Sequence, residues 1–317
     1  MLMPAPDSPS QVRAGVVGVG AIGQNHARVY ASLANAQLTA IFDTDAARAA
    51  SFAERYGAKP TSDLEEFASL VDAASVSTPT STHRDIAEFL LDRGVHCLVE
   101  KPIAASPEDA AALVAKAQAN DRLLQVGHIE RFNPILRDLE TRLTNPRFIE
   151  VHRLSPFPER STDVGVVLDV MIHDLEIVLH LVKSPIVNVD AVGVAVLTNR
   201  EDIANARIRF ESGCVANITA SRVSPEKLRK IRVFQNDTYL SLDYQAQAGK
   251  IYRREGLQIL PEDVLVEKDE PLKLELESFL HCVATGQRPR VSGAEAAAAL
   301  NLAIEITRQI GEFPGQA

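Results

Sequence analysis

The chain is poor in cysteine and has no long apolar run. Cys97, Cys214 and Cys282 are the only cysteines in 317 residues, and none stands in C-x-x-C spacing. This excludes a disulfide framework and a thiolate metal site, and it reads as buried thiols in a reducing cytoplasm. No apolar stretch approaches the roughly 18 residues that span a bilayer. Residues 1–11 lack the basic start and apolar centre of a secretory signal, and Pro4, Pro6 and Pro9 suggest a loose, flexible tail. Lysine and arginine form no block, and the formal net charge is −9. That argues against nucleic acid or a membrane surface as partner and leaves a small molecule.

What is present is an ordinary globular composition, 46% hydrophobic and 24% charged, in a chain too long for one core. Two domains are expected, 12–130 and 131–317. The first opens on an apolar run followed by Gly18, Gly20 and Gly23 in G-x-G-x-x-G spacing. Gly18 permits a sharp turn out of a strand, Gly20 leaves room for a pyrophosphate, and Gly23 lets helix and strand approach closely. The helix N-terminus then offers free N–H groups and partial positive charge to phosphates. A second strand ends in Asp43, 20 residues beyond Gly23, where a carboxylate binds ribose hydroxyls. Thr44, rather than an arginine, follows it, so NAD is expected over NADP.

Strands then alternate with helices as far as about residue 126, which predicts a doubly wound parallel sheet, the Rossmann pattern of an α/β protein. In such sheets ligands collect at the carboxyl ends of the strands. Gly18–Gly23, Asp43, Ser77–His83, Glu100–Pro102 and His128–Asn133 all fall there and should converge on one crevice. Lys101, at a strand end before Pro102, reads either as a substrate-binding or proton-relaying group or as a turn lysine. Arg131 reads as a phosphate ligand or as the partner of an acid such as Glu130 or Asp138.

From Arg147 onward the predicted strands 148–154, 186–196, 206–210, 215–223, 230–234 and 239–244 follow one another through short turns. This predicts an α+β domain with a large, mostly antiparallel sheet. A helix over 167–182 is apolar nearly all round yet carries Asp169, His173 and Asp174. Asp169 and His173 are spaced i, i+4 on one face. His173 reads as a general base with Asp169 as its partner, or the two as a satisfied buried pair. No third ligand for a metal is visible nearby. Two helices close the chain, and whether the last packs on the first or the second domain stays open.

These motifs, with Ser77-Thr78-Pro79-Thr80, His83, Glu100-Lys101-Pro102 and Asp169-x-x-x-His173-Asp174, resemble the glucose–fructose oxidoreductase/inositol dehydrogenase/rhizopine-catabolism family of NAD-dependent sugar dehydrogenases. The resemblance implies that Lys101, Asp169 and His173 are catalytic. It implies that Gly18, Gly20, Ala21, Ile22, Gly23, Asp43, Thr78, Pro79, Thr80, His83, Glu100 and Lys101 line the cofactor. Met171 stands where many members have glycine, which would narrow the pocket.

The stretches Val126–Pro134, Asp163–Asp169 and Glu270-Pro271-Leu272-Lys273 further resemble the family's nucleotide-sugar branch, whose members oxidise the 3-hydroxyl of UDP-N-acetylglucosamine. That implies substrate contacts from His128, Arg131, Asn133, Arg153, Arg160, Asp169 and His173, and a homodimer or homotetramer formed through the outer face of the second sheet. Oxidation of myo-inositol or a free sugar is the alternative within the family. A dinucleotide-binding sensor without turnover is the alternative outside it.

Overall fold

The computed structural model describes residues 11–157 and 164–311. They divide into two compact units. One runs to Gly127 and takes in Leu272–Ala294; the other comprises His128–Pro271 and the residues from Glu295.

In the first unit β1 (Val12–Val17), β2 (Ala36–Phe42), β3 (Lys59–Thr61), β4 (Ala73–Val76), β5 (His96–Glu100) and β6 (Leu124–Gly127) form a parallel sheet in the order β3-β2-β1-β4-β5-β6. Helices α1 (Gly23–Ser32), α2 (Ala46–Tyr56), α3 (Leu64–Leu70), α4 (His83–Asp92) and α5 (Pro107–Ala119) alternate with the strands. Val16, Val17, Ala74, Val76, Leu98 and Val99 are fully buried, as a parallel sheet covered on both faces requires. Strand order reverses between β1 and β4, the switch point at which such sheets open a ligand crevice. Local chemistry sets the helix ends. Asp45 caps α2, Gly57 closes it with φ +70°, and Ser106 caps α5 ahead of a proline in its first turn.

The second unit is an eight-stranded sheet of β7 (Phe148–Leu154), β8 (Ile186–Val194), β9 (Ile203–Phe210), β10 (Val215–Ser221), β11 (Leu228–Gln235), β12 (Thr238–Asp243), β13 (Ala248–Glu255) and β14 (Gln258–Val264). Its order is β14-β13-β12-β11-β7-β10-β9-β8, and only β7 and β10 run parallel. Helices α6 (Pro134–Arg142) and α7 (Ile172–Val182) belong to it, α7 packing on β10. A row of rings crosses four adjacent strands: Phe148, Phe234, Tyr239 and Tyr252, with centroids 5.6, 4.6 and 5.0 Å apart in turn.

Helices α8 (Pro271–Thr285) and α9 (Gly293–Ile310) end the chain. All but the first residue of α8 belongs to the first unit, where the segment after it makes an isolated bridge to β6: Val126 N–H donates to Val291 O at 3.1 Å. The expected second domain, 131–317, left open a closing helix on the first; it is α8 that lies with the first unit, and α9 from Glu295 lies with the second. All three cysteines are buried free thiols. Among the described residues no helix is long and apolar enough to cross a membrane.

Candidate active site

The dinucleotide loop forms where β1 ends. Gly18 adopts φ +83°, and its N–H donates to Phe42 O at 2.8 Å, which fastens the turn to β2. A Cβ on Gly23 would lie 1.8 Å from Gly18 O, so only glycine fits. A Cβ on Gly20 would meet nothing within 4 Å, and Ala21 and Ile22 are exposed. No side chain caps the start of α1; Gln24 N–H and Asn25 N–H bond Gly20 O and Ile22 O at 3.1 and 2.9 Å, and the positive end of the helix faces the loop. Asp43 is buried beside this loop: Oδ2 accepts the Val19 N–H and Oδ1 the Asp45 N–H, both at 2.9 Å. Bare backbone, helix N-terminus and ribose-side carboxylate together fit a dinucleotide.

Arg48 is a residue the sequence reading missed. Its guanidinium bonds Asp45 at 3.1 Å and lies 3.7 Å from Asp43. One helical turn into α2, it sits beyond the Asp43–Thr44 pair on which the reading rested.

The loops after β4 and β5 are tied together through His83. Its Nδ1 is 3.0 Å from Pro102 O and its Nε2 2.9 Å from Thr78 O. The ring is buried, and burial pushes its pKa below the ordinary histidine value while the two carbonyl contacts pull the other way. His83 was expected at the cofactor. Set between these two carbonyls, it braces the loops that carry Thr78, Pro79, Thr80 and Lys101. Thr82 adds a hydrogen bond to Thr78 Oγ1 at 2.8 Å. Lys101 is half-buried at the end of β5, and the Glu100 carboxylate accepts its backbone N–H at 3.2 Å.

In the second unit, the helix expected over 167–182 begins as a π-helical turn, Val167–Met171, before α7. Such turns are rare and frequent at functional sites. Asp169 lies in that turn and His173 in the first turn of α7, both half-buried. His128 stands edge-on to His173, with ring centroids 5.8 Å apart and planes at 84°. Glu201, also missed in the sequence, holds the turn: its backbone and carboxylate oxygens accept the N–H groups of Val166 and Val167 at 2.9 and 3.3 Å. Met171 is fully buried in the core.

Three expected substrate ligands have partners within the second unit. Arg153 grips Asp174 through two hydrogen bonds of 2.6 and 2.9 Å and Glu130 through a third of 2.9 Å. Arg131 is 2% exposed, pairs with Glu176 at 2.5 Å and lies 3.7 Å from Glu140. Asn133 caps α6 and donates to Tyr244 O at 3.0 Å. Guanidinium groups this enclosed must be paired with acids, and α7 supplies two of them, Asp174 and Glu176. Arg160 lies outside the described residues.

Residues 12–128 match the oxidoreductase family with an NAD-binding Rossmann fold, and residues 136–239 match the GFO/IDH/MocA C-terminal domain. The UDP-N-acetylglucosamine 3-dehydrogenase of Acidithiobacillus ferrooxidans is 38% identical, over 95% of this chain and 98% of that protein. The chain belongs to the Gfo/Idh/MocA oxidoreductase family. A solved structure of that Acidithiobacillus dehydrogenase superposes with a TM-score of 0.90, covering 95% of this chain and 98% of the other. Among other Gfo/Idh/MocA proteins, the NAD-dependent scyllo-inositol 2-dehydrogenase of Bacillus subtilis is 28% identical over 94% and 93% of the two chains. The protein is thus an NAD-binding oxidoreductase, with a Rossmann sheet in its first unit and a mostly antiparallel sheet in its second.

Proposed function

We propose that this enzyme oxidises the 3-hydroxyl of UDP-N-acetylglucosamine to a 3-keto nucleotide sugar, using NAD. The observation that supports this reading is the 38% identity to an enzyme of that name, nearly end to end, against 28% for an inositol dehydrogenase. Bound NAD supplies the acceptor for the hydride that leaves sugar C3.

The chain's own residues have the remaining roles. Gly18, Gly20, Ala21, Ile22 and Gly23 hold the diphosphate, Asp43 the ribose hydroxyls, and Thr78, Pro79 and Thr80 line the cofactor. His173 takes the hydroxyl proton as the C–H bond breaks, and the carbonyl forms from the electron pair left on oxygen. Lys101 donates a hydrogen bond to that oxygen and stabilises its developing negative charge. Asp169 holds His173 or a sugar hydroxyl, and His128 keeps the imidazole in place. The three buried thiols suit a cytoplasmic enzyme. The aromatic row and the exposed Val187, Val192 and Val194 of β8 suit a homodimer or homotetramer formed through the second sheet.

The test measures NADH formation with UDP-N-acetylglucosamine, free N-acetylglucosamine and myo-inositol. UDP-N-acetylglucosamine should lead in kcat/KM by at least roughly tenfold, an increment of about 1.4 kcal/mol in transition-state binding. A preference for inositol would overturn the substrate; NAD binding without any turnover would overturn the enzyme. Lys101→Met and His173→Ala should each lose roughly a hundredfold or more in kcat while still binding NADH.

A further inference from the structure

Beneath the strand end that carries Lys101, polar side chains form an unbroken line inside the first unit. Tyr30 and His26 come from α1, Ser75 from β4 and Glu100 from β5, and all four are buried. Tyr30 Oη lies 2.8 Å from Ser75 Oγ, which lies 3.0 Å from His26 Nδ1. His26 Nε2 lies 3.1 Å from Glu100 Oε1, and Glu100 Oε2 accepts the Lys101 N–H at 3.2 Å. With the imidazole's proton on Nε2, one arrangement satisfies every contact. His26 Nε2–H donates to an ionised Glu100, Ser75 O–H donates to Nδ1, and Tyr30 O–H donates to Ser75.

Two neighbours define where the charge in this line rests. A Cβ on Gly127 would lie 2.6 Å from Glu100 Oε1, so the missing side chain at the end of β6 gives the carboxylate its place. Glu275 of α8 is fully buried, and neither of its carboxyl oxygens has a hydrogen-bond partner among the described residues. Burial and the nearby charge of Glu100 push its carboxyl well above the usual carboxylate range. Two like charges in one dry site repel, and of the two carboxyls only Glu100 has polar neighbours at both oxygens. A buried charge with this many dedicated partners is costly to build for packing alone, because apolar side chains fill such volumes at least as well.

We propose that His26 and Glu100 are positioning residues for Lys101, holding its backbone from below and linking it to the helix that starts at the dinucleotide loop. Ser75 and Tyr30 orient His26, and the line turns one end of α1 and one strand end into a single braced piece. This inference rests on the proposed role of Lys101 in the reaction.

The experiment compares Glu100→Gln, His26→Gln, Ser75→Ala and Glu275→Gln with the parent enzyme, reading kcat, the KM of UDP-N-acetylglucosamine, NADH affinity and thermal midpoint. Glu100→Gln and His26→Gln should lower kcat 10- to 100-fold while KM and NADH affinity stay within threefold. The same carboxyl-to-amide change at Glu275 should cost kcat at least tenfold less than at Glu100. Ser75→Ala removes one oxygen and keeps the core filled. It decides the matter if the larger changes unfold the protein, and it should lower kcat three- to tenfold with the same split. Parent-like kcat in folded variants overturns the inference, and so does a parallel loss of kcat and NADH affinity. Lys101→Met separates the two readings. If it is active, the role of Lys101 itself fails; if it is inactive while Glu100→Gln is parent-like, only the positioning line fails.

Discussion

The guanidinium of Arg48 lies 3.7 Å from the carboxylate of Asp43. The pair sets the first prediction. In the proposed role Asp43 favours ribose hydroxyls and repels a 2′-phosphate, while Arg48 is the kind of group that accommodates one. Asp43→Ala removes the carboxylate and leaves Arg48 beside the vacated space. NAD should lose roughly 10- to 100-fold in kcat/KM, the worth of a hydrogen bond to a charged group, and NADP should gain. Steady-state kinetics with the two cofactors check it, and unchanged discrimination would show that Asp43 is not on the ribose.

A second prediction concerns Gly23. The obstacle to a side chain there is backbone, Gly18 O at 1.8 Å from the added Cβ, so no side-chain rotation relieves it. Gly23→Ala should weaken NADH binding at least tenfold by forcing α1 away from the loop. Gly20→Ala, which meets nothing within 4 Å inside the protein, should disturb binding only through the cofactor itself. Fluorescence titration with NADH, alongside the thermal midpoint without cofactor, separates the two. The midpoint should fall for Gly23→Ala and hold for Gly20→Ala.

The contrast between these glycines and the two enclosed arginines shows where the sequence was legible. The glycine spacing and Asp43 act through neighbours in one strand–turn–helix–strand run, so their chemistry can be read from order and offset. Arg131 and Arg153 take their meaning from Glu176 and Asp174, which only the folded chain brings to them. His26 and Glu275 carried no signal for the same reason: each is one polar residue on an apolar helix face until Glu100 is beside it. Strands β13 and β14 both escaped detection, and of the two only β14 lies at an edge. It carries Pro261 and exposed charges, which an edge tolerates and an alternation test rejects.

Glu176 leads to a pH prediction. Burial pushes its carboxyl up to about 7, even with Arg131 bonded to it. The folded value is raised above the unfolded one, so its contribution to stability is complete below about 4.5 and is lost as pH rises through about 7. Glu176→Gln cannot ionise and escapes that loss, although it begins with a weaker bond to Arg131. Between pH 5 and pH 8 the melting midpoint of the parent should therefore fall relative to that of the variant. The shift corresponds to on the order of 2–3 kcal/mol, or roughly 5 °C. A constant gap across that range would mean that the buried pair stays ionised throughout.

The last prediction tests how the turn that carries Asp169 is held. A Cβ on Gly165 would come within 1.9 Å of Glu201 Oε1, the oxygen that accepts the Val167 N–H. Glu201 is only 3% exposed, so its carboxylate has little room to retreat. Gly165→Ala should break that contact, leave a buried carboxylate short of a donor and cost about 1–3 kcal/mol of stability. The damage should reach Asp169, whose own N–H is bonded to Gly165 O at 3.1 Å. Turnover should fall at least tenfold while NADH affinity holds, since the dinucleotide loop belongs to the other unit. Glu201→Gln keeps an acceptor for Val167 but weakens it, and should give a smaller loss of the same kind. Full turnover in a destabilised Gly165→Ala enzyme would show that the π-helical turn does not set the position of Asp169 in the reaction.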